Sequence, residues 1–183
     1  TLMDRRISRR VALCGVLGAL MVGLMLLGTL FPLSTYACPG LAGALLIPVL
    51  FELGGLSGIL LYCAVSVLSM ILAPSKESAL FFVLLLGWYP IARTRLQHIR
   101  RRPLRIVLKL ILFNAATCAV YALLLFVLVS PELTAEAAGW TTAFLIGFLA
   151  LGNATFLVYD VCLGRIGDWY VCRLRPKLFP AHR

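Results

Sequence analysis

The sequence predicts an all-α integral membrane protein, a compact bundle of six transmembrane helices with both termini in the cytoplasm. Composition is the first reason. Hydrophobic residues make up 62% of the 183 residues and charged residues only 13%, whereas a soluble domain has about a quarter charged residues. Charge distribution is the second reason, because all but one of the 17 basic residues fall into three clusters between long apolar stretches. Short loops rich in Lys and Arg stay on the cytoplasmic side of a membrane, so the clusters set the orientation.

The three basic clusters lie at the N-terminus, near residue 100 and at the C-terminus. Basic residues at these boundaries attract the anionic inner leaflet, at about 1 kcal/mol per residue. The net charge of +10 therefore indicates anionic lipids as partners at the inner face and argues against nucleic acid. The clusters comprise Arg5, Arg6, Arg9 and Arg10, then Arg93, Arg95, Arg100, Arg101, Arg102, Arg105 and Lys109, and finally Arg165, Arg173, Arg175, Lys177 and Arg183; only Lys76 lies elsewhere.

The first predicted helix spans residues 11–31 and follows four arginines, as a signal peptide would. This apolar run is longer than the roughly 7–15 residues of a signal-peptide core, so we interpret it as a retained helix. Three further helices are predicted at 36–53, 56–73 and 79–92. They are separated by Gly54-Gly55 and by the stretch from Pro74 to Ser78.

The number of crossings in this middle region has an alternative. A crossing needs about 20 residues, and the segments 36–53 and 79–92 are short for that purpose. The first of them also contains Pro39 and Pro48. A re-entrant pair in this region would leave four crossings instead of six. Both counts are even, so the position of the basic clusters does not separate them.

The last two helices are predicted at 104–129 and 140–163. The turn between them, residues 130–136, holds Glu132 and Glu136 and no Lys or Arg, which is typical of an outer loop. Residues 164–183 form a basic inner tail in this prediction. The whole chain, 1–183, is therefore expected to be a single membrane domain in the cell membrane, with a bacterial cytoplasmic membrane as the expected location.

Small residues four apart form a stripe on the first helix, at Gly15, Ala19 and Gly23. This spacing puts them on one face, where the absence of large side chains lets another helix approach closely. The stripe is either an internal packing surface or a docking face for another subunit.

Polar residues inside the last two helices are Asn114 and Asn153. An intramembrane polar residue indicates function by default, and hydrogen bonding between helices is the structural alternative. Asp160, near the inner end of the last helix, is predicted to pair with Arg165 or Lys109 at the inner boundary.

The outer face has few candidates for ligand binding. Lys76, the one basic residue predicted outside, either recognises an anionic group on a small molecule or pairs with Glu77. The outer-face candidates are Tyr36, Ser69, Ser75, Lys76, Glu77, Tyr121, Trp140 and Thr141. Of these, the proposed substrate-binding set is Tyr36, Lys76, Tyr121, Trp140 and Thr141.

Catalytic and metal-binding motifs are missing from the sequence. It contains no HExxH, GxSxG or P-loop pattern and no paired carboxylates at a shared depth. The six cysteines include no CxxC, and the two histidines have no partner at ligand spacing. We therefore expect no catalytic residue, no metal and no cofactor, and a protein that is not an enzyme.

The whole layout resembles the S components of energy-coupling factor (ECF) transporters, the membrane subunits that bind vitamins. The resemblance lies in six helices within 200 residues, the stripe at Gly15, Ala19 and Gly23, and the segment from Pro39 to Pro48 before a glycine turn at Gly54-Gly55. The family carries alanines four apart where this chain has the stripe. No substrate motif of a particular vitamin subfamily is present.

The resemblance implies a function, a set of partners and a site. An S component captures a vitamin-like molecule from the outer side and docks through its first helix onto a transmembrane coupling subunit, which two ATPases drive. The stripe would be the docking face. The pocket would lie among the outer loops and the outer halves of the last three helices, with Tyr36 in the first outer loop as its lid. The alternative from another class is a non-transporting membrane scaffold, or a partner subunit of a cell-envelope or secretion complex.

Overall fold

The computed structural model describes residues 2–29, 34–97, 99–127 and 139–174, and the regular elements within these ranges are helices. Within these ranges six helices follow one another, which is the number that the sequence predicts. We number them α1 to α6. Their bounds are α1 Leu2–Leu26, α2 Ser34–Leu53, α3 Gly55–Leu72, α4 Lys76–Leu96, α5 Arg102–Phe126 and α6 Thr142–Arg173.

Five of the helices, α2 to α6, are long and apolar enough to cross a membrane, and α1 contributes the shorter apolar stretch Val11–Leu26. The two segments that looked short in the sequence reach 20 residues in α2 and 21 residues in α4, which matches the length of about 20 residues that a crossing needs. These helices are consistent with a multi-pass membrane protein.

Several helix ends differ from the sequence prediction. Helix α1 begins at Leu2 rather than at residue 11, and its α-helical part ends at Leu26. Helix α4 begins at Lys76 rather than residue 79, because the Ser75 hydroxyl accepts a hydrogen bond from the Ser78 amide at 3.2 Å and caps the helix. It also continues beyond residue 92, to Leu96. Helix α6 continues through Arg173, so the first half of the predicted inner tail is helical.

The extension of α6 has a packing reason. Tyr170 is buried, and its ring stacks on Phe51 of α2 with centroids 6.2 Å apart. This contact stabilises the continuation of the helix beyond residue 163. The predicted helix ends at Phe31 and Val129, the acidic turn 130–136 and tail residues 175–183 lie outside the described residues.

Two breaks in the middle of the chain follow from Pro and Gly chemistry. Helix α2 consists of Ser34–Ala44 and Leu46–Leu53, with a turn at Leu45. Pro48 has no amide proton for the Ala44 carbonyl, and its ring crowds that carbonyl, which explains the break. Gly54 has φ 85°, a left-handed conformation that glycine adopts without steric cost, and it turns the chain into α3.

The centre of the bundle is formed by α2 and α4. In each, 44% of the most apolar window is buried, compared with 6% for α6. One apolar cluster joins α2 and α4 to α1 and α3, and it contains Met21, Met25 and Phe82. The other joins α2 and α4 to α5 and α6, around Tyr89 and Phe156. Helices α2 and α4 therefore hold the two halves together.

A π-helical segment, Phe82–Leu86, interrupts α4. Two side chains donate hydrogen bonds to its carbonyls: the Tyr62 hydroxyl to Val83 at 2.6 Å and the Trp88 indole to Leu84 at 2.7 Å. In an apolar environment a carbonyl freed by irregular backbone needs such a donor. Tyr62 and Trp88 therefore allow the irregular turn in the middle of the bundle.

Candidate functional site

A cavity of about 350 Å³ opens at the end of the bundle where α2, α4 and α6 begin and α5 ends. We call it the aromatic pocket. Helices α2 and α4 each contribute one lining residue and α5 contributes three. The remaining five are four residues of α6 and Trp140, which precedes that helix. The lining residues are Tyr36, Glu77, Thr117, Cys118, Tyr121, Trp140, Phe144, Leu145, Phe148 and Leu149.

The polar centre of the aromatic pocket is Glu77, in the first turn of α4. Its Oε1 accepts hydrogen bonds from the Tyr36 hydroxyl at 2.9 Å and from the Tyr121 hydroxyl at 3.1 Å. The two hydroxyl oxygens are 3.2 Å apart. One carboxylate oxygen of α4 therefore binds side chains from α2 and α5. Tyr36 lies 41 residues before Glu77 in the chain, and Tyr121 lies 44 residues after it.

Aromatic rings form the walls around this centre. The Tyr121 ring meets Trp140 edge to face at a centroid distance of 5.9 Å, and it meets Phe148 in the same way, also at 5.9 Å. Phe144 stacks on Phe148 at 6.3 Å. Edge-to-face and stacked pairs at these distances are stabilising, so the walls hold their shape through their own ring contacts.

Thr117 places a further polar group in the aromatic pocket, one turn before Tyr121 on α5. Its side chain is 4% exposed, and its Oγ1 has no hydrogen-bond partner within the described part of the chain. A buried hydroxyl without a partner costs about 1–3 kcal/mol, and a buried polar group of this kind requires an explanation. Its Oγ1 atom is itself inaccessible from the cavity, so a bound molecule would supply the missing partner only after a movement of the Thr117 side chain.

Three of the five residues predicted to bind substrate meet in this pocket: Tyr36, Tyr121 and Trp140. Thr141 lies beside it and has a structural role, since its hydroxyl accepts from the Phe144 amide at 3.3 Å and caps α6.

Lys76 points away from the pocket. Its ammonium group donates to the Met70 carbonyl at 2.8 Å and to the Ala73 carbonyl at 3.5 Å, at the end of α3. A cation at a helix C-terminus satisfies carbonyls that have no intrahelical partner. Within the described residues Lys76 forms no ion pair with Glu77, so its ammonium group belongs to the α3 cap.

Sequence analysis missed several lining residues. Glu77 was an outer-face candidate but was left out of the proposed substrate-binding set, whereas Thr117, Phe144 and Phe148 were not singled out. One signal was present: Thr117 with Tyr121, and Phe144 with Phe148, lie four residues apart, which puts each pair on one helix face. In apolar helices this spacing is frequent, so it did not distinguish these faces.

A second polar cluster lies toward the opposite end, around Asp160 of α6. Its Oδ2 accepts from the Lys109 ammonium at 2.6 Å, and its Oδ1 accepts from the Tyr89 hydroxyl at 2.7 Å and from Arg93 Nε at 2.9 Å. The predicted pair with Lys109 is confirmed. The alternative partner, Arg165, is exposed, and the described ion pairs of Asp160 involve Lys109 and Arg93.

This Asp160 cluster joins three helices through one carboxylate. Tyr89 and Arg93 lie four residues apart on α4, Lys109 is on α5, and only 5% of the Lys109 side chain is exposed. With three donors on its two oxygens, the carboxylate is fully engaged, which is the pattern of a structural clamp.

The two asparagines predicted to lie within the membrane bind each other. Asn114 Nδ2 donates to Asn153 Oδ1 at 2.9 Å, and Asn153 Nδ2 donates to Asn114 Oδ1 at 3.2 Å. Each amide also donates to the carbonyl four residues earlier, Leu110 or Leu149. The two amides thus form a hydrogen-bonded pair that joins α5 to α6. Of the two interpretations that the sequence left open, a functional role and hydrogen bonding between helices, the structure agrees with the second.

The small-residue stripe on α1 faces outward. A Cβ atom added to Gly15 or Gly23 would meet no atom of the described residues within 4 Å, and Ala19 is exposed. Gly18 differs, because a Cβ there would lie 3.0 Å from Leu61 of α3. Helix α1 therefore packs against the bundle through Gly18, Met21 and Met25, while the stripe faces away from the other described helices.

Comparison of the sequence with protein-family models and curated proteins, and of the fold with solved structures, found no match.

Proposed function

We propose that this protein is the substrate-capture membrane subunit of an ECF-type importer for a vitamin-like small molecule. The observation that carries the proposal is the aromatic pocket, in which polar groups from α2, α4 and α5 converge beneath rings from α6. Its volume of about 350 Å³ lies within the range of about 300–1,000 Å³ for small-molecule sites. Apolar walls with a few oriented polar groups are also typical of such sites.

The proposed topology has six crossings of a bacterial cytoplasmic membrane, with both termini inside. Support comes from the basic clusters and from the lengths of α2 and α4. In this orientation the aromatic pocket opens to the outer side, where an importer captures its substrate. The Asp160 cluster, which includes Arg93, lies toward the inner side, where the basic residues around position 100 are also expected.

The proposed partners are a transmembrane coupling subunit and two ATPases in trans. The sequence has no P-loop, so energy for import must come from another chain. The outward stripe at Gly15, Ala19 and Gly23 offers α1 a surface for close helix contact without displacing any described neighbour.

We expect a small molecule to remain bound when the protein is purified, and native mass spectrometry to detect it. Replacing Trp140 by alanine removes a wall of the pocket and is expected to weaken binding about ten-fold, since an aromatic contact contributes about 0.5–1.5 kcal/mol beyond its buried area. Trp169→Ala is the matched control, because Trp169 is half exposed at the far end of α6. Absence of a bound molecule, together with no thermal shift across a panel of vitamins and cofactors, would contradict the proposal.

Bulky residues in the stripe are expected to break the contact with the coupling subunit. In the double variant Gly15→Leu with Ala19→Leu, recovery of co-expressed coupling subunit should fall about ten-fold, equivalent to about 1.4 kcal/mol, because the helix backbones can no longer approach. The isolated variant should melt at the wild-type temperature. Val16→Leu with Leu20→Phe adds volume on the neighbouring exposed face and serves as the control. A double stripe variant that recovers its partner normally, or that fails to fold alone, would assign the stripe to another role.

The outward stripe also fits the second candidate, a membrane scaffold or partner subunit of a cell-envelope or secretion complex. A scaffold needs an exposed contact face but no ligand. Loss of partner binding in the stripe variant, combined with an empty pocket in native mass spectrometry, would favour this alternative.

A further inference from the structure

We propose that the aromatic pocket selects an organic cation, a small molecule carrying an ammonium group or a protonated nitrogen heterocycle. This inference rests on the proposed function, because it names the chemical class of the captured substrate. It is opposite in sign to the anionic ligand that Lys76 suggested in the sequence.

The formal charge of the pocket is the first argument. Among its ten described lining residues, Glu77 is the one with a charged side chain. Lys76 is adjacent in sequence, but its ammonium group lies against the Met70 and Ala73 carbonyls of α3. Glu77 is half-buried in the first turn of α4, and its negative charge would attract a positively charged ligand and repel an anionic one.

The hydrogen-bond pattern at Glu77 is the second argument. The hydroxyls of Tyr36 and Tyr121 both donate to Oε1, and no described residue donates to Oε2. A phenol has a single proton to donate, so a hydroxyl that donates to Oε1 has no proton left for a ligand. Oε2 is therefore the carboxylate acceptor that this wall of the pocket presents to a ligand. Acceptors attract ammonium or N–H groups and repel the oxygens of a carboxylate or phosphate.

The aromatic walls are the third argument, and they distinguish an organic cation from a metal ion. The rings of Tyr121, Trp140, Phe144 and Phe148 line the same cavity as the carboxylate. Aromatic faces attract cations through their ring quadrupoles, and aromatic cages are the established receptor for quaternary ammonium groups. A hard metal ion requires about six oxygen ligands, whereas one carboxylate beside aromatic rings suits a large, weakly hydrated cation.

The experiment measures binding of charged and neutral probes to the purified full-length chain in detergent by isothermal titration calorimetry. The cationic probes are choline and benzyltrimethylammonium. The compound 3,3-dimethylbutan-1-ol is the neutral carbon isostere of choline, and benzoate is an anionic probe. Both cations are expected to bind, and the isostere should bind at least ten-fold more weakly than choline, because it lacks the charge that Glu77 recognises.

Glu77→Gln tests the role of the carboxylate with little change of shape, since the amide oxygen still accepts from Tyr36 and Tyr121. Affinity for benzyltrimethylammonium is expected to fall about ten- to a hundred-fold in this variant. Asp168→Asn makes the same charge change on an exposed residue at the other end of the molecule and should leave affinity unchanged. Lys76→Gln should also leave it unchanged, because Lys76 faces α3.

The outcomes separate this inference from the proposed function. Stronger binding of benzoate than of the cations, or cation binding that Glu77→Gln leaves intact, would overturn the cationic class. A co-purified neutral or anionic molecule whose retention depends on Trp140 would also overturn it, while the capture function stands. Failure of every probe to bind, with no molecule retained by the purified protein, would overturn both.

Discussion

Replacing Asp160 by asparagine is expected to lower the free energy of unfolding by about 3–5 kcal/mol, the usual cost of removing one partner from a buried ion pair. The variant would leave Lys109 and Arg93 without their counter-charge. The side chains of these two cations are only 5% and 20% exposed. The asparagine oxygen can still accept from Tyr89, so the loss would report mainly on charge. Thermal unfolding of the purified protein, followed by size-exclusion chromatography, measures the effect.

The matched control is Asp168→Asn, on the same helix but exposed; it should melt close to the wild-type temperature. A second variant isolates the ion pair. Adding Lys109→Met to Asp160→Asn removes one of the two stranded cations and should recover part of the lost stability. Equal melting of the Asp160 and Asp168 variants, or a purely additive loss in the double variant, would show that the Asp160 cluster does not stabilise the bundle.

Replacing Gly43 by alanine is expected to cost about 3 kcal/mol, at the upper end of the about 1–3 kcal/mol typical of overpacking. The added Cβ would lie 2.2 Å from the Leu86 carbonyl oxygen and 2.9 Å from the Tyr159 hydroxyl. The first contact is with backbone, so no rotation of a side chain can relieve it. Helix α2 would have to move away from α4 in the most buried part of the bundle.

Gly147→Ala is the control, because a Cβ there would meet nothing within 4 Å and alanine favours a helix over glycine by about 1 kcal/mol. It should keep or raise the melting temperature, whereas Gly43→Ala should lower it by several degrees. A Gly43→Ala protein that melts like the Gly147→Ala protein would mean that α2 and α4 are not in the close contact described above.

The aromatic pocket was partly predictable from the sequence. Tyr36, Tyr121 and Trp140 were expected at one end of the bundle, because each lies near a helix end on the side predicted to be outer. The choice of Lys76 over Glu77 as the central contact could not be corrected at that stage. Consecutive residues on a helix point about 100° apart, and the sequence does not show which of them faces the neighbouring helices.

The sequence by itself determined the number and order of the described helices and most of their bounds to within about three residues. These features depend on local physics: about 20 apolar residues favour a helix, and Pro48, Gly54 and Pro74 lie at or next to helix breaks. Pro39 is the exception, since it lies inside the helical segment Ser34–Ala44. The charge clusters likewise act within single loops, and the proposed orientation of the termini rests on them.

Only the tertiary structure decided which side chains meet. It directed the stripe at Gly15 and Gly23 outward and turned Gly18 toward α3. It also gave Asp160 its unpredicted partners Tyr89 and Arg93, residues 71 and 67 positions away in the chain. The physical reason is that these helices are apolar around most of their circumference, so periodicity does not fix their rotation about their own axes. Rotation is set instead by close packing and by the few interhelical hydrogen bonds, which exist only after the helices have assembled.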